Sequence, residues 1–154
     1  MPINYIETRT VQDKSDWKSG QWQSEADYYY WIDEKTAKNC LIVRNTFGCL
    51  CGYVGLTRTH KFYGLHYNEI EDELDYETSY GGLTYSESCN DVICHQHDGD
   101  DITWWVGFDT SHSEDLMPNY DGFTFDASNQ TYKDVEFVVK EVEKLATTLT
   151  SLQN

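Results

Sequence analysis

The sequence predicts an α+β fold in which an antiparallel β-sheet packs against a C-terminal α-helix. Short runs of aromatic and β-branched residues indicate the strands, and apolar residues with a helical period near the C-terminus indicate the helix. A chain of 154 residues fits one domain. We expect residues 1–25 to wrap around it, 26–125 to be mainly β with an acidic insertion, and 131–150 to form the helix.

The predicted strands follow a polar N-terminal segment that shows neither a helical nor a strand period. Turn sequences connect apolar runs that indicate an antiparallel meander, at 28–32, 40–43 and 49–56. Gly52 and Gly55 within the third run indicate a bulge or a close approach of the backbone. Further runs are predicted to join the same sheet, at 83–85, 91–94 and 102–108.

Two segments are predicted to be helical. Ile70 and Leu74 have the spacing to anchor one or two turns inside the acidic insertion. The second segment runs from about residue 133 to about residue 149, with Thr131 and Asp134 resembling a capping box at its start. Its apolar stripe consists of Val135, Val138, Val139, Val142, Leu145, Ala146, Leu149 and Leu152.

The charge of the chain is concentrated in one stretch. The formal net charge is -16, and residues 62–132 contain sixteen Asp or Glu and no Lys or Arg. Nucleic acids and anionic membrane surfaces repel such a chain, so cationic partners are expected instead: a basic protein site or metal ions. Aromatic residues make up 15% of the chain, which is not the composition of a disordered acidic tail.

The sequence also gives expectations about the cellular compartment. No apolar segment of signal-peptide or membrane-spanning type occurs, which favours the cytoplasm. Five cysteines are an odd number, and Cys49 and Cys51 are too close for an ordinary bridge. Mostly reduced thiols are therefore expected.

One candidate site follows the strongest strand signal of the second half. Asp109, His112 and Asp115 lie within a short loop after the predicted strand, where they can supply an acid–base pair or ligands for a divalent metal. The structural alternative is that Asp109 caps the following turn while His112 is exposed beside Glu114.

A second candidate site is a cluster of cysteines and histidines. Its four potential zinc ligands are Cys89, Cys94, His95 and His97. Structural zinc sites normally draw paired ligands from two separated segments, and this chain has one short cluster. The alternative is that Cys94 is a small core residue and Cys89 is half-buried.

Exposed acids form a third candidate site, for partner binding. Neither acidic run fits the calcium-binding loop of an EF-hand, so a solvated acidic face is expected. Carboxylates spaced along such a face can imitate nucleic-acid phosphates and occupy a basic protein groove. The residues assigned to it are Glu69, Glu71, Asp72, Glu73, Asp75, Asp100 and Asp101.

A glycine pair offers a place for a ligand near a strand. Motifs for a nucleophilic serine, a phosphate-binding loop or a dinucleotide are absent from the sequence. The residues assigned to ligand binding are Tyr80, Gly81, Gly82 and Thr84, with Arg58 as a nearby cation in sequence.

Several blocks of the chain resemble a family of uncharacterised proteins found in bacteriophages and prophages. These blocks are Cys40-Leu41-Ile42-Val43-Arg44, Cys51-Gly52-Tyr53-Val54-Gly55, Gly81-Gly82-Leu83-Thr84-Tyr85, Ile93-Cys94-His95 and Trp104-Trp105-Val106-Gly107-Phe108-Asp109. The resemblance runs from about residue 17 to about residue 149 and implies a phage setting but no activity.

The resemblance also favours particular polar residues as site candidates. The family pattern shares His60, Asp109, His112 and Asp115. This chain departs from it at Tyr80, where the family usually has histidine, and at Thr110-Ser111, where the family carries a cysteine. A role that depends on a histidine at position 80 is therefore not carried over to this chain.

Two hypotheses about function follow, and the sequence does not identify a reaction. The first is a host-interaction or counter-defence factor that binds a basic site on a host protein through its acidic 62–132 surface. The second is a ligand-binding or metal-assisted hydrolytic pocket. That pocket would consist of His60, Asp109, His112 and Asp115 around the Gly81-Gly82 turn.

Overall fold

The computed structural model confirms the predicted α+β fold, with an antiparallel sheet packed against a C-terminal helix. It describes residues 3–74, 80–90, 92–95, 102–120 and 130–153. The strands are β1 (Glu7–Arg9), β2 (Tyr28–Ile32), β3 (Asn39–Arg44), β4 (Leu50–Leu56), β5 (Tyr85–Ser88) and β6 (Trp104–Phe108). The helices are α1 (Tyr67–Glu71) and α2 (Val135–Ser151), with a 3₁₀ turn at Gln21–Ser24.

The six strands form one sheet in the order β1-β2-β3-β4-β6-β5, and all neighbours are antiparallel. The predicted meander is confirmed as β2, β3 and β4. β1 adds an edge strand from the segment that was expected only to wrap. The predicted strand at 91–94 is wrong for its described part, because the Asn90 side chain accepts hydrogen bonds from Val92 N and Ile93 N and turns the chain.

One face of the sheet is covered by α2, whose predicted stripe is buried except at its two ends, where Val135 and Leu152 are partly buried. A Cβ placed on Gly52 would lie 2.5 Å from Val142 Cγ2, so the glycine permits the close approach that the sequence indicated. The helix begins two residues later than expected because Asp134 is itself the cap, accepting from Phe137 N at 2.9 Å. Thr131 instead pairs with Asp115 in an isolated β-bridge.

The other face carries tyrosine and tryptophan side chains and is partly covered by the segment that follows β5. Ile93 is buried there, and Tyr28 Oη donates to the carbonyl of Cys94 at 2.8 Å. Cys89 and Cys94 are joined by a disulfide. The expectation of reduced thiols is therefore wrong for these two of the five cysteines. Cys40, Cys49 and Cys51 are free and buried, and burial raises the pKa of the Cys49 thiol to about 11.

A buried ionic network anchors the N-terminal segment to the sheet. Asp27 Oδ1 accepts from Arg44 Nε at 2.7 Å and lies 2.9 Å from Lys14 Nζ. Asp27 Oδ2 accepts from the amides of Val11 and Gln12. Burial raises the pKa of Asp27, but these hydrogen bonds outweigh it and hold the pKa below its ordinary value.

The sheet has two ends, which separate the candidate residues. Gly52 pairs with Phe108, and Leu56 pairs with Trp104. Asp109 therefore follows β6 at one end, called the His112 end, whereas His60 follows β4 at the other, called the His60 end. No helix among the described residues is long and apolar enough to cross a membrane.

Candidate functional site

The loop after β6 brings together three of the predicted site residues. Thr110 anchors it, because its buried Oγ1 donates to the carbonyl of Leu50 at 2.8 Å. Asp109 Oδ1 then accepts a hydrogen bond from Ser111 N. Asp109 therefore caps the following turn, as the structural alternative to a catalytic role predicted. A second turn is closed by a hydrogen bond from Asp115 N to the carbonyl of His112 at 2.9 Å, and it places Asp115 beside the His112 imidazole.

Asp115 is the centre of the site and is fully buried. Its Oδ1 accepts from Tyr80 Oη at 2.6 Å and lies 3.1 Å from Lys133 Nζ. Its Oδ2 accepts from His112 N at 3.0 Å and lies 2.9 Å from His112 Nδ1. Burial raises the pKa of Asp115, but these hydrogen bonds outweigh burial and hold its pKa below the ordinary value.

The contacts of His112 determine what its ring can do. Because Asp115 is ionised, Nδ1 carries the ring hydrogen of the neutral imidazole and Nε2 is left as an acceptor. Nε2 lies 3.6 Å from Asp109 Oδ1, and 34% of the side chain is exposed. A histidine oriented by a carboxylate in this way is suited to proton transfer or to metal ligation through Nε2.

The Gly81-Gly82 turn lies directly against this ring. A Cβ placed on Gly81 would lie 2.5 Å from His112 Nε2, and both glycines have positive φ, 69° and 89°. The turn is held on its far side by α1, because Leu83 N donates to Glu71 Oε2 at 3.0 Å. The predicted association of the glycine pair with the histidine is therefore observed.

Tyr80 and Thr84, on either side of the glycine pair, have different surroundings. The Tyr80 ring contacts His112 edge-on, with centroids 5.1 Å apart. Burial, with the hydrogen bond to Asp115, raises the pKa of Tyr80 well above its ordinary value. Thr84 is exposed, and its amide donates to the carbonyl of Gly107 as β5 begins. The name His112 cluster is used below for Tyr80, Gly81, Asp109, His112, Asp115 and Lys133.

His60 does not join this cluster, which corrects the predicted four-residue pocket. It is buried at the opposite end of the sheet, where Nε2 lies 2.7 Å from the carbonyl of Leu149 and Nδ1 accepts from Phe62 N. Burial lowers the pKa of His60, so its contacts hold the end of α2 with a neutral ring. Arg58 follows β4 at the same end and is likewise separated from the glycine pair.

The cysteine and histidine cluster does not assemble as four metal ligands. Sulfurs joined in a disulfide cannot act as thiolates, so a zinc site built on Cys89 and Cys94 does not form in this state. His95 stacks on Tyr30 at 3.6 Å with Nε2 3.2 Å from Glu7 Oε1, and His97 lies outside the described residues. The described residues hold no group of three or more side chains arranged to bind a metal ion.

The acids assigned to partner binding divide into three groups. Glu69, Asp72 and Glu73 are exposed at α1 and its end. Glu71 is half-buried and accepts a hydrogen bond from the glycine turn. The other three, Asp75, Asp100 and Asp101, lie outside the described residues.

Sequence reasoning missed Lys133, the cation of the His112 cluster. It is the first basic residue after the basic-free stretch, which is the signal that could have identified it. The bridge between Asp115 and Thr131 carries the chain past the site and places the ammonium against the carboxylate.

Comparison of the chain with models of known protein families, with curated proteins and with solved structures finds no match.

Proposed function

We propose that the His112 cluster binds a small neutral or cationic ligand and that His112 acts on it as a general base, in the manner of a hydrolytic site. The observation that supports this proposal is the contact between His112 Nδ1 and the buried Asp115 carboxylate at 2.9 Å. It fixes the tautomer in which Nε2, on a side chain that is 34% exposed, accepts a proton.

The proposed reaction needs only a water molecule besides the ligand. Nε2 removes a proton from water, and the oxygen attacks an electrophilic acyl carbon of the ligand. The imidazolium that forms lies between Asp115, at Nδ1, and Asp109, whose Oδ1 is 3.6 Å from Nε2. Two carboxylates near this cation stabilise it, and the proton later passes to the leaving group.

The charge of the surroundings supports a neutral or cationic ligand. Asp109 lies beside the reacting nitrogen, and Glu71 holds the adjacent glycine turn. The ammonium of Lys133 is paired with Asp115, and the Lys133 side chain is 14% exposed. An anionic substrate such as a phosphate ester would meet net negative potential at this place.

The contacts of the His112 cluster support metal-assisted hydrolysis less well than they support general-base hydrolysis. His112 Nε2 and Asp109 offer two ligands, whereas catalytic metal sites normally use three protein ligands. No third ligand completes a group there among the described residues. The proposal therefore assigns proton transfer to His112.

Hydrolysis of p-nitrophenyl acetate, a neutral activated ester, tests the proposal. His112→Gln keeps an amide that can donate towards Asp115 but removes the base. We expect it to lower kcat/KM by about a hundredfold, because general bases contribute about that much. The control is His66→Asn, since His66 is an exposed histidine that caps α1 through its side chain.

The control variant should retain the activity of the unchanged protein. If His112→Gln retains it as well, or if both histidine variants lose it equally, the general-base proposal is refuted. Thermal unfolding of each variant shows whether a loss of activity reflects a loss of fold.

A second function is proposed for the exposed acids of α1 and its C-terminal end, in keeping with the phage proteins that the sequence resembles. Glu69, Asp72 and Glu73 are exposed, whereas Glu71 between them holds the glycine turn. In this proposal they bind a basic site on a host protein in the host cytoplasm, through charge attraction that salt weakens.

Titration with a basic decapeptide of lysine and arginine tests this second function. Replacing Glu69, Asp72 and Glu73 by their amides should weaken binding more than the same change at Asp13, Asp16 and Glu136, which are exposed elsewhere. Equal weakening by the two triple variants would mean that net charge alone attracts the peptide, and the proposed surface would be rejected.

A further inference from the structure

A disulfide closes the segment that follows β5. It joins Cys89 and Cys94, whose separation in the sequence is 5. The described residues of this segment, 89–90 and 92–95, are called the disulfide loop below. They lie over the sheet face opposite α2, which is called the tyrosine face.

The second half of the disulfide loop packs on two tyrosines of β2. Ile93 is 7% exposed and belongs to the apolar cluster of this face. The Cys94 carbonyl accepts from Tyr28 Oη at 2.8 Å, and the His95 ring stacks on Tyr30 with centroids 3.6 Å apart. Both tyrosines are 4% exposed, so the loop contributes to their burial.

The first half of the disulfide loop is held by contacts that water can replace. Val92 is 62% exposed, and the amides of Val92 and Ile93 donate to the side chain of Asn90, an exposed residue. Asn90 Nδ2 donates to Tyr85 Oη in another exposed contact. The covalent bond is therefore the main restriction on the loop. Closing so short a loop makes its open states about thirtyfold less accessible than in the reduced chain.

This disulfide is more accessible than the three other cysteines. Cys89 is exposed and Cys94 is half-buried. Cys40, Cys49 and Cys51 are buried, and burial raises the pKa of each thiol. These three thiols therefore stay protonated at neutral pH, whereas a thiolate from solution reaches the disulfide. Disulfides in reducing compartments are usually transient or redox-sensing.

We propose that the Cys89–Cys94 disulfide is a redox switch that controls the exposure of the tyrosine face. Reduction raises the population of an open state, in which Ile93 and His95 leave this face and its tyrosines meet solvent. The switch does not depend on the function proposed for the His112 cluster.

The reductant in this proposal is a dithiol. One of its thiolates bonds to Cys89 Sγ, the bond between the two protein sulfurs breaks, and Cys94 Sγ leaves as a thiolate that takes up a proton. The second thiol of the reductant then displaces Cys89 Sγ. The dithiol becomes a cyclic disulfide, and the protein gains two electrons and two protons.

Counting thiols in the unfolded protein tests the chemical step. Protein purified in air without reductant should have three free thiols, those of Cys40, Cys49 and Cys51. Incubation of the folded protein with dithiothreitol, a dithiol, should add the two from Cys89 and Cys94. A protein that already has all five thiols before reduction would overturn the proposal.

Amide hydrogen exchange, followed by nuclear magnetic resonance, measures the opening of the loop. Exchange at Ile93, whose amide is bonded to Asn90, should be about thirtyfold faster in the reduced protein. Exchange at Val142, within α2, should be the same in both states. An equal rate at Ile93 in the two states would refute the switch, and an equal acceleration at Ile93 and Val142 would show a general loosening instead.

Acetylation of tyrosine by N-acetylimidazole, located by mass spectrometry, measures the exposure of the tyrosine face. The Tyr28 hydroxyl is bonded to the loop, so its acetylation should also be about thirtyfold faster after reduction. Tyr80 is the control, because its hydroxyl is bonded to Asp115 and not to the loop. Unchanged acetylation of Tyr28, or equal acceleration of both tyrosines, would contradict the proposal.

A double variant separates the disulfide from other effects of the reductant. The protein with both Cys89→Ser and Cys94→Ser should show the fast exchange at Ile93 without dithiothreitol, and dithiothreitol should not change it further. Slow exchange in this variant, or a response of the variant to dithiothreitol, would mean that the Cys89–Cys94 bond does not control the loop.

Discussion

At the scale of single residues, Asp115 determines the state of the site. It is fully buried, yet donors from Tyr80, His112 and Lys133 surround its carboxylate. A buried carboxylate with this many donors favours the ionised form. The same charge that fixes the His112 tautomer therefore contributes to folding.

Asp115 should give the protein a specific sensitivity to acid. Its folded pKa is lowered, so its contribution to stability is present at neutral pH and is lost as the pH falls below about 4. Asp115→Asn should lower the free energy of unfolding at pH 7 by about 3 kcal/mol, because it leaves Lys133 without its buried partner. Urea unfolding of both proteins between pH 7 and pH 2.5 measures this.

The difference between the two proteins should shrink as the pH falls through that range. Asp16→Asn serves as the control, because Asp16 is exposed and should give a small difference at every pH. A constant difference for Asp115→Asn would contradict the assignment of an ionised carboxylate.

Gly81→Ala should disturb the site through a direct clash. Both Gly81 and Gly64 have positive φ, but a Cβ meets the His112 ring only at Gly81, and nothing lies within 4 Å at Gly64. Gly64→Ala should cost about 1–2 kcal/mol from backbone strain alone. Gly81→Ala should cost about 1–3 kcal/mol more because the ring must move, as urea unfolding would show. Equal losses of stability in the two variants would mean that the His112 ring moves away from the new Cβ without cost.

Of the four residues assigned to the predicted pocket, the three that the structure brings together are those that lie close in the chain. Asp109, His112 and Asp115 share one loop, so the end of a single strand brings them together. His60 was placed with them wrongly, because only the direction of β4 relative to β6 shows that it lies at the other end of the sheet. Lys133 reaches the site through a bridge that no local pattern reveals.

At the scale of elements, backbone pairing explains what the sequence did not predict. β1 is three residues long with a half-buried or exposed pattern, and it forms because Ile6 N and Asp27 N donate across the edge of β2. Such a strand has no apolar period to detect. The long stripe of α2 was predicted well because burial against the sheet requires it.

At the start of α2, the two residues of the expected capping box have different roles. Asp134 accepts from Phe137 N, whereas Thr131 contributes only backbone groups, bonded to Glu114 and Leu116. Asp134→Ala should therefore lower the free energy of unfolding by about 1 kcal/mol. Thr131→Ala, the matched control, should leave it within about 0.5 kcal/mol. Thermal or urea unfolding measures both, and a larger loss for Thr131→Ala would favour the cap expected from the sequence.

At the scale of the whole molecule, the charges are segregated along the chain. Lys14 and Arg44 are buried and paired with Asp27, so their charges are satisfied within the N-terminal network. Exposed acids such as Glu69, Asp72 and Glu73 belong to a stretch without any basic residue. In the described part of that stretch, exposed acids therefore repel one another without a neighbouring base in the sequence.

Added salt should stabilise the protein. Screening shortens the reach of charge repulsion from about 30 Å at 0.01 M to about 8 Å at 0.15 M ionic strength, while buried pairs such as Arg44 and Asp27 are screened much less. We expect the melting temperature to rise between 10 mM and 300 mM NaCl, by roughly 2–4 °C for each kcal/mol gained.

The source of this gain can be located with the variant in which Glu69, Asp72 and Glu73 are replaced by amides. It removes repulsion from the basic-free stretch, so it should melt higher than the unchanged protein at 10 mM NaCl and gain less from added salt. The triple variant at Asp13, Asp16 and Glu136 should show a smaller effect, because those acids lie among basic residues in the sequence. A melting temperature that falls with salt would show that surface ion pairs outweigh the repulsion.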